Sequence, residues 1–368
     1  MIDVLVAGGG PAGLATAIHA ALAGMEAVVI EPRPGPVDKA CGEGLMPTGA
    51  AALADLGVAV PEGRPFRGIR YVDGRHRVQA EFRDGTGLGV RRTALHAALA
   101  LRARELGVRV VPGRVDAVRA TGERVRARVT TRREPDGPEP YERELCGPEP
   151  RRPELDAPEL DARWLVAADG LHSPIRARLG LDLPSGGPRR YGLRRHYRVA
   201  PWTDFVEVHW APGGEAYVTP VGDDLVGVAV LSSERRPYDE HLARFPGLLA
   251  RLGGPPATPV RGAGPLRQRV RRRVAGRVLL VGDAAGYVDA LTGEGISLAL
   301  LSARALVGCL RAGRPEEYET AWRRLSWRSR LLTAALVRAR RHPSAARMIV
   351  PAARRLPAVF GAAVRSLA

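Results

Sequence analysis

The chain opens with Ile2-Asp-Val-Leu-Val-Ala-Gly8-Gly9-Gly10-Pro11-Ala12-Gly13 and runs through an Ala/Leu-rich stretch to Glu26-Ala-Val-Val-Ile-Glu31. No other feature restricts the fold as strongly. An apolar strand must meet a glycine turn, a helix, and a second strand that ends in an acid. Gly8 makes the tight turn, Gly10 lets the backbone approach a pyrophosphate, and Gly13 lets the helix lie against the strand. The pyrophosphate then meets free N–H groups around Ala12, at the positive end of the helix. Pro11 suits the first helical turn, where its missing N–H is no loss. Glu31, 23 residues after Gly8, stands where a carboxylate receives an adenosine ribose hydroxyl. Arg33 follows it and can reach the adenosine side.

This fingerprint leaves NAD and FAD open, and two later segments narrow the choice. Trp164-Leu-Val-Ala-Ala-Asp169-Gly170-Leu-His-Ser173-Pro-Ile-Arg176 reads as a buried strand ending in Asp-Gly. Arg277-Val-Leu-Leu-Val-Gly282-Asp283-Ala-Ala-Gly286 reads as another, ending in Gly-Asp, and Leu291-Thr-Gly293-Glu-Gly295-Ile296 leads from it into a helical run. In this order the three motifs resemble the fingerprints of the flavoprotein family that contains FAD-dependent aromatic hydroxylases and geranylgeranyl reductases. The resemblance covers nearly the whole chain. It implies that Asp283 holds a ribityl hydroxyl of FAD, and that the backbone at Gly293, Gly295 and Ile296 faces the flavin ring. It also implies that Arg92 lies along the FAD backbone, with Arg91 the competing choice, and that Val115 gives adenine a backbone contact. A guanidinium suits that place because it offers a planar fork to phosphate oxygens. Ala290 departs from the pattern, since many relatives have Pro there.

The loop Cys41-Gly42-Glu43-Gly44 resembles the loop of the geranylgeranyl reductase-like members that lies against the isoalloxazine. Its glycines fit close backbone approach to a ring. Cys41 is expected to line the site, because no nearby His lowers its pKa toward a catalytic thiolate. In Ala216-Tyr217-Val218-Thr219-Pro220, alternation puts Tyr217 and Thr219 on one face. Val218 and Val221 stand in the region where the reductases carry aromatic residues. His196 and His209, on neighbouring strands, are candidates for a base or hydrogen-bond donor to a phenol.

The expected fold is α/β: a doubly wound, Rossmann-like FAD-binding domain of the three-fingerprint type, an inserted antiparallel β-sheet substrate domain, and C-terminal helices. The expected boundaries are 1–66 plus 89–185 plus 262–320 for the FAD-binding domain. Residues 67–88 plus 186–261 form the substrate domain, and 321–368 the closing helices. Residues 131–160 hold seven prolines and recurring Pro-Glu pairs, which a central sheet strand does not tolerate; they read as a surface hairpin tip or an insertion. A helix is expected over 92–105, and strands over 191–199, 205–211, 215–221 and 225–231.

The net charge of +17 invites a nucleic-acid reading. The excess is arginine spread along the chain, without a helix-turn-helix, RNP or zinc-finger pattern, so no nucleic-acid partner is expected. Cys41, Cys146 and Cys309 are far apart and form no zinc or disulfide framework, so no metal is expected and a reduced, cytoplasmic setting fits. From Arg323 to Ala368 the chain mixes apolar residues with arginines and holds no acid. Such helices either lie weakly in an anionic membrane interface or pack on the FAD domain with their arginines solvated. With one dinucleotide fingerprint, NAD(P)H must bind transiently as electron donor. The resemblance then implies an NAD(P)H-driven monooxygenase that hydroxylates a phenolic, lipid-like substrate with molecular oxygen through a flavin C4a-hydroperoxide. Reduction of isoprenoid double bonds is the first alternative. A halogenase would need Trp-x-Trp, which the five tryptophans never form. A non-catalytic FAD-binding protein is the remaining class.

Overall fold

A computed structural model describes residues 1–60, 62–130, 158–187 and 189–367. The strand Ile2–Ala7 lies at the centre of a sheet, because its side chains are apolar on both faces and both faces are covered. It pairs in parallel with Ala27–Glu31 on one side and Glu159–Ala167 on the other. Arg109–Pro112 extends the sheet in parallel beyond Ala27–Glu31, and Val278–Leu280 does so beyond Glu159–Ala167. The hairpin Arg114–Thr121 and Arg124–Thr130 joins antiparallel to the start of Glu159–Ala167. Most of the Pro/Glu-rich segment lies outside the described residues. The strands on either side of it do pair, with Arg128 opposite Glu159, and residues 159–160 already belong to the second strand.

The helices Pro11–Leu22, Arg92–Glu105 and Gly295–Arg311 cover this sheet. The helices Pro11–Leu22, Pro47–Asp55, Pro174–Arg178, Pro343–Arg355 and Pro357–Arg365 each begin at a proline, where a missing N–H leaves nothing unpaired. Ser173 caps its helix by accepting the Arg176 N–H at 3.0 Å. The helix over 92–105 has the expected bounds. The segment 238–253 folds as two short helices, Tyr238–Leu242 and Pro246–Leu252. Pro246 explains the break, since it cannot continue the hydrogen-bond ladder and disfavours helical geometry in Phe245.

A second sheet has seven strands in the order Arg261–Ala263, Tyr191–Arg198, Leu225–Ser232, Gly214–Pro220, Phe205–Ala211, Gly68–Val72, Arg77–Glu81. All its pairs are antiparallel except Phe205–Ala211 with Gly68–Val72. The expectation of a purely antiparallel sheet is corrected there. Gly68–Val72 belongs to a separate excursion of the chain, so no hairpin forces it to run opposite to its neighbour. One face of this sheet, with Val218, Val226, Val228 and Val230, packs against the two short helices. The other, with Ile69, Val206, Val208 and Tyr217, faces Val350, Phe360 and Val364 of the C-terminal helices.

A buried ion-pair cluster fastens these parts. Glu215, fully buried on Gly214–Pro220, accepts Arg190 Nη2 at 2.8 Å and is bound on its other oxygen by Arg340. Arg190 Nε donates to Asp289 at 2.9 Å, in the loop that precedes Gly295–Arg311. Arg340 closes the helix Glu317–Arg340 and also donates to the Ala211 carbonyl at 2.7 Å. Glu215→Ala leaves the buried Arg190 and the part-buried Arg340 guanidinium facing one remaining carboxylate. Its expected cost is about 3–5 kcal/mol in urea unfolding. A loss below about 1 kcal/mol, the range of an exposed pair, would show that the cluster is solvated.

Candidate functional site

The glycine turn is a fitted piece. Gly8 has φ +110, and a Cβ on it would stand 2.4 Å from the Ala168 carbonyl oxygen. A Cβ on Gly13 would stand 1.8 Å from the Gly8 oxygen, and one on Gly282 2.7 Å from the Ala12 Cβ. Strand, helix and Gly-Asp turn therefore meet at backbone distance. Behind the turn, the Gly9 N–H donates to Glu31 Oε2 at 2.7 Å, and Arg33 donates to the same carboxylate through Nε at 2.7 Å. These bonds outweigh burial and hold the Glu31 carboxyl below its usual range.

In front of the turn opens a cavity of about 790 Å³. Its wall includes Gly10, Ala12, Cys41, Gly42, Arg92, Asp169, Gly282, Asp283, Gly293, Gly295, Ile296 and Tyr217 from the expected site residues. Gly8, Gly13, Glu31, Arg33, Val115, His196 and His209 are not on that wall. Gly8 and Gly13 shape the turn from behind it, and Val115 is buried in the core of the first sheet.

Arg92 is the charge that stands over the cradle. It is buried, its Nε has no partner, and a Cβ on Gly10 would lie 3.6 Å from its Nη2. Burial pulls its guanidinium below the usual value. Across the cavity Asp283 sits in the turn Gly282–Ala285, where burial pushes its carboxyl up against the pull of Arg92 and Lys39. Asp169 is raised by burial in the same way and has one oxygen without a partner. A buried guanidinium with an unpartnered Nε beside a glycine cradle, and an unpartnered oxygen on Asp169, are costly without a ligand. A phosphate on the cradle and hydroxyls on the acids remove that cost. The residues present therefore fit FAD: Gly10, Ala12 and Arg92 can hold the pyrophosphate, and Asp283 a ribityl hydroxyl.

The Cys41 loop forms another wall. The Gly42 carbonyl accepts Thr219 Oγ1 at 2.7 Å, which ties the loop to the second sheet. Burial pushes the Cys41 thiol up, so it keeps its proton, and its Sγ accepts the Glu43 N–H at 3.3 Å. Tyr217 donates to the Leu291 carbonyl at 2.9 Å and is kept protonated by burial and by Glu215. Tyr287, absent from the sequence-derived set, lies on the wall against Gly295 and is likewise kept protonated by burial.

Both candidate histidines have other work. His196 is buried behind the wall, with Nε2 2.6 Å from Glu43 Oε2 and Nδ1 3.0 Å from Thr258 Oγ1. Glu43 has a positive φ of 60 and also accepts the Arg92 N–H at 2.8 Å. His196 thus braces the loop that holds Arg92. No sequence signal marks Glu43 as the centre of this bracing, apart from its place between two glycines. His209 lies 3.1 Å from Glu207, which also accepts Arg70 and Trp202 at 2.9 Å each. Val218 and Val221 are off the cavity wall as well. Val218 points into the opposite face of the sheet, so its lost aromatic character does not alter the cavity.

Residues 1–211 match the FAD binding domain family, and the chain belongs to that family; it is an FAD-dependent oxidoreductase. It is 30% identical over 327 residues to the menaquinone reductase of Mycobacterium tuberculosis, covering 82% of this chain and 74% of that protein. Identity is also 30% over 352 residues with digeranylgeranylglycerophospholipid reductase 1 of Methanothermobacter thermautotrophicus, covering 90% and 82%. Among solved structures, p-nitrophenol 4-monooxygenase from Pseudomonas putida shares the fold, with a TM-score of 0.77 at 20% identity over 100% of this chain and 95% of that one.

Two outcomes are expected here. Asp283→Ala should lose most of the bound flavin while the protein stays folded, as read by the absorbance ratio after purification; equal flavin content would remove Asp283 from the site. Burial raises Glu207, but its bonds to His209, Trp202 and Arg70 prevail and bring it from 4.5 to about 2. Its folded-state pKa is depressed, so its contribution is present above the unfolded pKa and lost as pH falls from about 5 to about 2. Wild type should therefore lose more stability over that window than Glu207→Gln, and parallel curves would contradict the assignment.

Proposed function

We propose that the protein reduces a carbon–carbon double bond in an apolar, isoprenoid-type lipid, with NAD(P)H as the electron donor. One observation carries the reading. The cavity runs on from the nucleotide end between the second sheet and the C-terminal helices, and its far wall is aliphatic and aromatic: Val208, Leu332, Leu336, Ile349, Ala353 and Phe360. A lipid tail gains by leaving water for such a wall. The names of the two sequence relatives support the same substrate class.

When bound, FAD supplies the two-electron chemistry. Gly10, Ala12 and Arg92 would hold its pyrophosphate and Asp283 its ribityl chain, while Glu31 braces the glycine turn from behind through the Gly9 N–H. The helix start at Gly295 and the Cys41-Gly42 loop line the cavity and would border the flavin ring. Ile69, Val206 and Tyr217 form the floor that presents the double bond and keeps water away. Reduction needs a proton as well as the flavin's electrons. Cys41 and Tyr287 both carry protons on the wall, whereas Tyr217 is committed to the Leu291 carbonyl.

Hydroxylation of a phenolic lipid is the second reading. It is favoured by Arg194, a wall residue with an unpartnered Nε that can face a phenolate. Neither His196 nor His209 is on the wall to act as its base. The two readings separate by product mass. Turnover of a polyprenyl quinone with NADPH in air, with the product reoxidised to the quinone before mass analysis, should give a side chain that gains two hydrogens. A gain of one oxygen would establish the hydroxylase instead. Ala353→Trp should raise KM for a long-chain substrate several-fold and leave a short-chain analogue unaffected; equal effects on both would place the chain elsewhere.

A further inference from the structure

The cavity opens at the corner between the last two helices. Leu356 and Val359 both line it and are 56% and 62% exposed. An apolar side chain that is at once a cavity wall and a large exposed surface marks a mouth. Met348, 45% exposed, lies eight residues before Leu356 on the helix Pro343–Arg355. Three exposed arginines accompany them, Arg347, Arg354 and Arg355, and none has an ion-pair partner among the described residues. From 321 to the end the chain holds eleven arginines and no acid. The helix Glu317–Arg340 carries a further stripe of Trp327 and Leu331, 54% and 64% exposed, at helical spacing from Arg324, Arg328 and Arg338. Among the described residues no helix is long and apolar enough to cross a membrane.

We propose that this C-terminal corner docks on an anionic lipid bilayer, with Leu356 and Val359 dipped among the acyl chains and Arg347, Arg354 and Arg355 at the headgroups. The inference rests on the lipid-substrate reading above and deepens it: the lipid enters from the bilayer through the mouth at Leu356 without crossing water. Exposed apolar residues ringed by unpaired arginines match the two layers of such an interface. The absence of any acid in the last 48 residues removes the repulsion that an anionic surface would otherwise meet. Nucleic acid is the other polyanion that the charge could attract, but it gives Leu356 and Val359 nothing apolar to enter.

The test uses the FAD-loaded full chain and vesicles of phosphatidylcholine alone or with one-third phosphatidylglycerol. Flotation at low salt should carry the protein with the anionic vesicles and not with the neutral ones. About 0.5 M salt should release most of it, since screening then acts within a few Å. Arg354→Glu/Arg355→Glu should weaken binding on the order of tenfold or more, and Leu356→Ser/Val359→Ser should weaken it several-fold, with flavin content unchanged in both. Arg119→Glu/Arg124→Glu, on the exposed hairpin of the first sheet, makes the same change in net charge at another place and should bind like wild type. Equal loss in that control, or binding to duplex DNA but not vesicles, would overturn the docking corner, as would no flotation at low salt. The two proposals fail separately. Flotation without any turnover leaves docking intact and removes the reaction; turnover of a detergent-dispersed lipid without flotation does the reverse.

Discussion

The site depends on the buried contact between Glu215, Arg190, Asp289 and Arg340. Four chain segments far apart in sequence supply these side chains: a sheet strand, the entry to that sheet, the loop before Gly295–Arg311, and the end of a C-terminal helix. Each segment also supplies a wall of the cavity. Taking such charges out of water costs several kcal/mol each, and their mutual attraction returns little net stability. What the cluster gives is registry. With both Glu215 oxygens engaged, the helix that ends at Arg340 and the loop at Asp289 have one arrangement relative to the sheet. The wall at the nucleotide end and the apolar wall at the far end are thereby fixed against each other.

A gradient of polarity follows. At the nucleotide end the chain leaves polar groups unpaired where a phosphate and hydroxyls can complete them, as at Arg92 and Asp169. At the far end the wall offers only apolar contact. Glu43 stands at the junction. It spans the Arg92 backbone and His196 from a backbone conformation that costs roughly 1–3 kcal/mol outside glycine, and so fixes the loop carrying Cys41. On the proposed reading, the redox end and the lipid end of the cavity meet at Tyr217 and Cys41.

The nucleotide half was legible in the sequence because local rules govern it. Glycines at 8, 10 and 13, the Gly-Asp turn at 282 and 283, and the helix at Arg92 are each read within a dozen residues, and the cavity wall includes most of them. Long-range packing decides the rest. Alternation puts Tyr217 and Thr219 on one face, as the structure does, whereas nothing near His196 and His209 in the sequence shows that Glu43 and Glu207 pair with them. Val218 looked like a lost aromatic, although it faces the other core. The single parallel pair in the second sheet had no sequence signal, because Gly68–Val72 and Phe205–Ala211 are more than a hundred residues apart. The ion-pair cluster was invisible for the same reason.

The central claim is that electrons from the flavin go to a lipid double bond within this cavity. The direct measurement is an anaerobic single turnover: the FAD-loaded protein is reduced with one equivalent of dithionite and mixed, without oxygen, with a polyprenyl quinone in detergent. The account predicts that the absorbance of oxidised flavin returns in step with one saturated double bond per flavin. If the flavin stays reduced until oxygen is admitted, and the lipid then carries an added oxygen atom, the account is contradicted.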